Sequence, residues 1–291
     1  MMYSFLMIGQ SNMAGRGKKE EVKTIPAAGK LFMLRNGKFI GMSEPVNYDR
    51  PFSGISLAPS FAKAFSDDHP DDTVGLVPAA DGGSSLADWR VGAELYTNAV
   101  NLAKLAMRNS TLVGILWHQG EAECGSEENI RTYEERFIAI VEAMKRDLGL
   151  GEIPVILGGL GDYLSQRAIS PALANYGKVN ARLAEIPGHH PNYYYVSAKG
   201  LTSNSDYLHF NAASLREFGL RYYRAFRERI NLFDSEYENF PPIPTAWSEN
   251  DVDSTTASIH QKIAALGALL AAGKISKEEY DARQKSLTAE L

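Results

Sequence analysis

Short apolar runs alternate with stretches of helical periodicity along the first 230 residues of the chain. Runs of this length, closed by turn residues, are typical of buried strands, and they predict strands at residues 3–8, 73–78, 112–117, 154–157 and 193–196. The stretches between them predict amphipathic helices at residues 57–65, 95–108, 129–148, 175–186 and 212–230. This alternation is typical of βαβ units, so we expect the α/β class, as a three-layer α/β/α sandwich with a mostly parallel sheet.

Polar residues follow the predicted strands at the points where those strands end. Ser11 follows the first strand, residues 82–83 the second, residues 118–121 the third, and Asp206 and His209 the fifth. Ligands of parallel α/β sheets bind beyond the carboxyl ends of the strands. These four segments therefore predict a single active site at one edge of the sheet.

The composition changes after residue 233, where three prolines lie among polar residues and indicate a linker. The residues that follow predict two short helices. Gly273 is placed to end the first helix, and Ser276 with Glu279 forms a capping box that opens the second. We predict a domain at 1–233, a linker at 234–257 and a helical hairpin at 258–291.

Such a hairpin buries little area alone, so we expect it to pack against something else. Two interpretations are open: it docks a partner or a second copy of the chain, or it packs on its own domain.

Charge and composition exclude several classes of protein. The 291 residues include 30 Lys and Arg against 35 Asp and Glu, a net charge of −5 without a basic block, so we expect no nucleic-acid partner. Cys124 is the single cysteine, which excludes an internal disulfide and a CxxC metal site. No apolar run approaches the roughly 20 residues that span a bilayer. The N-terminus lacks the basic start of a signal peptide, and we expect a cytoplasmic protein without membrane contact.

Ser11 lies in a tight turn directly after a strand, where a hydroxyl is exposed and the backbone N–H is free to bind a developing oxyanion. The alternative is a serine that only caps a helix. Asp206 and His209 are three residues apart, and such a pair can serve as general base and orienting carboxylate. Together the three residues predict an acyl-transfer enzyme.

Four sequence blocks resemble those of the SGNH (GDSL-like) hydrolases, in the variant of the sialate O-acetylesterase and acetylxylan esterase family, which is carbohydrate esterase family 6-like. They are GQSNM at 9–13, GGSSLADW at 82–89, WHQGE at 117–121 and DYLHFN at 206–211. The resemblance covers residues 3–230. The family's third block commonly continues with Ser-Asp, whereas Ala122 and Glu123 follow here.

The resemblance implies a role for each matching residue. Ser11 is the expected nucleophile, His209 the base and Asp206 its orienting carboxylate. The expected oxyanion donors are the N–H of Ser11, the N–H of Gly83 and the side-chain amide of Gln119. A supporting role is expected for Gln10, His118 and Glu121.

Trp89 is the last residue of the second block and is either a sugar-stacking residue or part of the core. The C-terminal hairpin resembles the short C-terminal (SHOCT-type) helical module, which implies an oligomerisation or docking element. No metal or other cofactor is expected.

We predict a serine esterase that removes O-acetyl groups from a carbohydrate, either an acetylated xylo-oligosaccharide or a sialic acid, through an acetyl-enzyme. Two alternatives stay open. One is an esterase for another small or lipid ester, and the other is an inactive carbohydrate-binding or scaffold protein.

Overall fold

The structure is a computed structural model that describes residues 1–241, 243–244, 262–263, 266–267, 269–270 and 273–289. Seven strands form one sheet: β1 (Met2–Gly9), β2 (Leu31–Arg35), β3 (Lys38–Gly41), β4 (Thr73–Pro78), β5 (Thr111–His118), β6 (Val155–Gly158) and β7 (Tyr193–Val196). Their order is β3-β2-β4-β1-β5-β6-β7. Neighbouring strands run parallel, except for β2 and β3.

Helices cover both faces of this sheet. Their bounds are α1 (Ser11–Ala14), α2 (Ala58–Asp68), α3 (Glu94–Ala106), α4 (Glu127–Arg131), α5 (Tyr133–Asp147), α6 (Tyr176–His189), α7 (Ala212–Glu228) and α8 (Lys277–Thr288). Helices α2 and α7 pack together on one face, while α5 packs between α3 and α6 on the other. The predicted α/β fold with a mostly parallel sheet is confirmed. No helix among the described residues is long and apolar enough to cross a membrane.

The central strand β1 explains why the apolar runs could be interpreted as buried strands. Phe5, Leu6, Met7 and Ile8 are consecutive and completely buried. Helices on both faces leave no side of a central strand exposed to water, so the sequence shows an unbroken apolar run. Burial of four such side chains contributes several kcal/mol, at about 1.5–3 kcal/mol each.

The hairpin of β2 and β3 adds two strands that the five-strand prediction omits. Asn36 and Gly37 join them with φ values of 50° and 77°, which is the conformation of the two-residue turn that suits a twisted hairpin. Strand β2 lies parallel to β4, so the turn projects at the same edge as the carboxyl end of β4.

Residues 234–241 and 243–244, assigned above to the linker, pack on the sheet domain instead. The guanidinium of Arg221 on α7 lies 3.6 Å from the centre of the Tyr237 ring and 4.6 Å from that of Phe240. Thr202 Oγ1 donates to Ile243 O at 2.6 Å. The rings of Tyr237 and Phe240 thus both pack against the Arg221 side chain. Because of these contacts, the domain extends at least to residue 244. Residues 245–257 lie outside the described residues.

The C-terminal segment contains the predicted cap. Gly273 has a φ of 66°, and Ser276 Oγ accepts the Glu279 N–H at 3.1 Å where α8 begins. The described residues from 262 to 270 are helical. Leu266, Leu269 and Tyr280 form a buried cluster, against which Ile169 of the sheet domain packs. The hairpin thus contacts its own chain, and its role as a docking module stays a prediction.

Candidate active site

Gly9, the last residue of β1, brings three loops together. Its φ is 127°, and a Cβ there would lie 2.1 Å from His118 O, so no side chain fits. The N–H of Gln10 donates to His118 O at 2.9 Å, and the N–H of Asp81 donates to Gly9 O at 3.1 Å. The segments after β1, β4 and β5 therefore meet at one edge of the sheet.

Ser11, His209 and Asp206 form a chain of hydrogen bonds at this edge. Ser11 is the first residue of α1, and its Oγ lies 3.0 Å from His209 Nε2. His209 Nδ1 lies 2.6 Å from Asp206 Oδ2. The other carboxylate oxygen, Asp206 Oδ1, accepts the backbone N–H groups of Leu208 and His209, each at 3.0 Å. The structure thus brings Ser11 next to two residues that lie almost 200 positions further along the sequence.

The Asp206 carboxylate stays ionised at neutral pH. Burial would raise its pKa, but the charge of His209 and the hydrogen bonds from His209 and Leu208 outweigh burial and lower the pKa to about 2. An ionised acceptor at Oδ2 keeps a proton on His209 Nδ1 and leaves the lone pair of Nε2 directed at Ser11 Oγ. The arrangement can therefore take a proton from the serine hydroxyl.

Two backbone N–H groups, those of Ser11 and Gly83, are candidates to bind an oxyanion. Ser11 N–H is in the first turn of α1, where the helix offers no acceptor. Gly82 N–H donates to Asp49 Oδ2 at 2.8 Å, whereas Gly83 N–H has no hydrogen-bond partner among the described residues. Gly83 has a φ of 82°, and a Cβ there would meet nothing within 4 Å. Gly83 is thus better placed than Gly82 as a donor.

A buried ion pair holds the loop that contains these glycines. The Arg16 guanidinium binds Asp49 through both nitrogens, at 3.1 and 2.5 Å. Burial raises the pKa of Asp49, but the bonds and charge of Arg16 outweigh it, so the pKa lies below its ordinary value. The Asp49 carboxylate then receives the Gly82 N–H. Sequence reasoning missed this pair because its partners lie outside the four blocks.

The structure contradicts the assignment of the Gln119 amide to the oxyanion hole. The side chain is completely buried, and its Nε2 donates to Ser84 O at 3.3 Å and to Glu123 Oε1 at 3.2 Å. Its Oε1 accepts the Tyr133 hydroxyl at 3.0 Å. Both ends of the Gln119 amide are therefore hydrogen-bonded inside the protein, and the side chain stabilises the buried region beneath the loop of residues 82–84.

Trp89 is also buried completely, which contradicts its interpretation as a sugar-stacking residue. Its Nε1 donates to Ser84 Oγ at 2.9 Å, and its ring packs edge-to-face on Trp117 at 5.8 Å. With no accessible face, the ring belongs to the core.

The other supporting residues lie behind the site. His118 is buried, which lowers its pKa, and its Nε2 donates to Gly159 O at 3.1 Å, so the ring is neutral. Gln10 Oε1 accepts the N–H groups of Gly120 and Ala122, each at 3.4 Å. Both side chains brace the segments that follow β5 and β6.

Asn12 is a candidate positioning residue that sequence reasoning missed. Its Oδ1 accepts the Phe210 N–H at 3.1 Å, and its Nδ2 donates to Leu208 O at 3.2 Å. These are the residues on either side of His209. Glu121 Oε1 accepts a bond from the same Nδ2 at 2.5 Å, which fixes the orientation of the amide. The available signal was that Asn12 is part of the first block, directly after Ser11.

We expect Asn12→Ala to lower kcat about 10²-fold with little change in KM, because His209 would lose both flanking anchors and small misplacements of a base are costly. Asn12→Asp would set two carboxylates against each other, and the double variant Asn12→Asp/Glu121→Gln would restore an amide–carboxylate pair but not the bond to Leu208 O, so we expect at most partial recovery of kcat. Steady-state kinetics of the four proteins provide the test. The exposed Asn109 supplies a matched control, Asn109→Ala. Full kcat in Asn12→Ala would contradict the positioning role.

The chain is similar to known proteins in sequence and in structure. A family model described as carbohydrate esterase, sialic acid-specific acetylesterase, matches residues 2–228. A probable carbohydrate esterase of Arabidopsis thaliana is 26% identical over 242 residues, which cover 76% of this chain and 89% of the relative.

Solved structures share the fold. The X-ray structure of an Arabidopsis thaliana protein has a TM-score of 0.69 at 22% identity and covers 78% of this chain and 98% of its own. The structure of NanS has a TM-score of 0.64 at 18% identity, with 78% and 97% covered. A carbohydrate acetylesterase from Xanthomonas citri has a TM-score of 0.55 at 13% identity, with 78% and 57% covered.

A parallel α/β sheet that carries this site at its carboxyl edge, together with these likenesses, defines the chain as a carboxylic ester hydrolase with an SGNH-hydrolase-like fold. It belongs to the carbohydrate esterase family described as sialic acid-specific acetylesterases. The resemblance on which the sequence analysis relied is thereby confirmed for the sheet domain.

Proposed function

We propose that this protein removes O-acetyl groups from a carbohydrate through an acetyl-enzyme on Ser11. The observation that carries the proposal is the hydrogen-bond chain from Ser11 Oγ through His209 to Asp206, with distances of 3.0 and 2.6 Å. It supplies a nucleophile, a base and an orienting carboxylate in reach of one another.

In the first half of the reaction, Ser11 Oγ attacks the ester carbonyl and His209 Nε2 takes the hydroxyl proton. The N–H groups of Ser11 and Gly83 bind the oxyanion that forms. His209 then returns the proton to the sugar oxygen as the C–O bond breaks, and the free sugar leaves.

In the second half, water attacks the acetyl carbonyl and gives a proton to the same histidine. The tetrahedral intermediate collapses, Ser11 Oγ regains its proton from His209, and acetate leaves.

Acetate release from acetylated xylo-oligosaccharides and from O-acetylated sialic acid tests this function, with 4-nitrophenyl acetate and octanoate as small-ester comparisons. We expect acetate from at least one sugar and a preference for the acetyl over the octanoyl ester. A preference for octanoate without release from any sugar would favour a lipid esterase. Sugar binding without hydrolysis of any ester would favour an inactive binding protein.

A further inference from the structure

A cavity of about 330 Å³ lies where β2 and β4 end. Its polar and aromatic wall includes Arg35, Asn36, Asn47, Tyr48, Asp81 and Asn98. The volume falls within the range of small-molecule sites, about 300–1,000 Å³. The β2–β3 turn, which the strand prediction omits, supplies one side of this cavity.

The cavity adjoins the catalytic edge. A methyl group placed on Gly82 would lie 2.9 Å from Asp49 Oδ2 and 3.6 Å from Ser11 Cβ, and Asp49 lines the cavity. Asp81 lines both this cavity and a second one of about 450 Å³, whose wall includes Gly82 and Gly83. The two cavities therefore meet at Asp81, and the second one reaches the expected oxyanion donor.

Asn47 adds a buried, unpaired hydrogen-bond acceptor to the wall of this cavity. Its side chain is 4% exposed, and its Nδ2 donates to Ala80 O at 3.0 Å. Its Oδ1 has no hydrogen-bond partner among the described residues. A buried acceptor without a donor is destabilising, so the position favours a ligand that donates a hydrogen bond, as a sugar hydroxyl does.

Tyr48 offers an aromatic surface beside this acceptor. Tyr48 is 58% exposed, more than any Phe, Trp or other Tyr in the described part of the chain. The Arg35 guanidinium lies 3.9 Å from the ring centre and fixes one face, while the rest of the ring is open. An exposed ring next to polar groups suits a sugar, which has an apolar C–H face and hydroxyls at its rim. An acyl chain would leave Asn47 unpaired.

We propose that this cavity is a subsite for the sugar ring next to the acetylated one, so that the substrate is an oligosaccharide. The inference rests on the proposed carbohydrate deacetylation and adds the length of the glycan. Tyr48 packs on the second ring, and Asn47 Oδ1 accepts one of its hydroxyls.

The full-length protein is titrated by calorimetry with two pairs of unacetylated sugars, xylose with xylotriose and sialic acid with sialyllactose. In at least one pair we expect the longer sugar to bind about tenfold more tightly than the monosaccharide. Tyr48→Ala should remove most of that difference and Tyr48→Phe should keep it. Leu220→Ala, at an exposed apolar residue of α7, is the matched control.

Equal affinity within both pairs, or a Tyr48→Ala effect that is the same for monosaccharide and oligosaccharide, would overturn the subsite. Acetate release from an acetylated monosaccharide, measured alongside, reports on the proposed function separately. A protein that deacetylates the monosaccharide but gains nothing from a longer sugar retains the function and loses the subsite.

Discussion

We expect Ser11→Ala to lower the rate of ester hydrolysis by a factor of about 10⁵ or more, because the variant loses the atom that forms the acyl-enzyme in the proposed mechanism. The fold should stay intact. In the part of the chain that the structure describes, the only hydrogen bond of the Ser11 side chain is the one to His209, and the backbone contacts of Ser11 in α1 do not involve the hydroxyl. Initial rates on an acetylated sugar, together with the thermal unfolding midpoint, measure both expectations.

A covalent probe separates the loss of the nucleophile from other causes of inactivity. An organophosphonate ester should add once to the wild type and not at all to Ser11→Ala, as seen by intact mass. Ser110→Ala is the matched control, because Ser110 bonds to Ser4 and Ala106 before β5, away from the site. Activity of Ser11→Ala near the wild-type level would refute the nucleophile assignment.

The candidate catalytic side chains could be predicted from the sequence because their placement follows from topology. Ser11 and the glycines at 82–83 come directly after buried apolar runs, and parallel strands end at the same edge of a sheet. The Asp206–His209 spacing also allows a contact within one short loop, and the structure shows it at 2.6 Å. Local rules and one topological rule were sufficient for these residues.

Trp89 and Gln119 could not be placed in the same way, because their environments are set by distant residues. Trp89 is buried by Trp117 on β5, and Gln119 is occupied by Tyr133 on α5. Adjacency to a catalytic block in the sequence does not report whether a side chain faces the site or the core. The Arg16–Asp49 pair is non-local for the same reason.

The β2–β3 hairpin had a usable signal in the sequence. Asn36-Gly37 lies between the short runs LFMLR and KFIG. An Asn-Gly pair in this setting is a strong indication of a two-residue hairpin turn, and both residues have the expected positive φ values. The flanking strands have only five and four residues, so their apolar runs are weaker than that of β1. Turn chemistry therefore carries more information here than strand periodicity.

Asp206→Asn should lower kcat by about 10⁴-fold, although it changes a single atom. Asp206 Oδ1 already accepts two backbone N–H groups, so an asparagine would keep its oxygen there and turn its NH₂ toward His209 Nδ1. The histidine would then accept at Nδ1 and carry its proton on Nε2. In that tautomer Nε2 has no lone pair for the Ser11 hydroxyl, and proton transfer fails while substrate binding persists.

Asp206→Asn should also change how the free energy of unfolding depends on pH, which measurements of activity do not report. The pKa of Asp206 is about 2, below the ordinary 3.8, so the ionised carboxylate stabilises the fold above about pH 4, and this contribution is lost as the pH falls through 2. The difference in unfolding free energy between wild type and Asp206→Asn should therefore shrink from pH 4 to pH 2 in urea titrations. Asp67→Asn, at an exposed carboxylate on α2, should leave kcat unchanged. A kcat of Asp206→Asn above a tenth of the wild-type value, or a stability difference that grows toward pH 2, would show that the carboxylate does not orient His209.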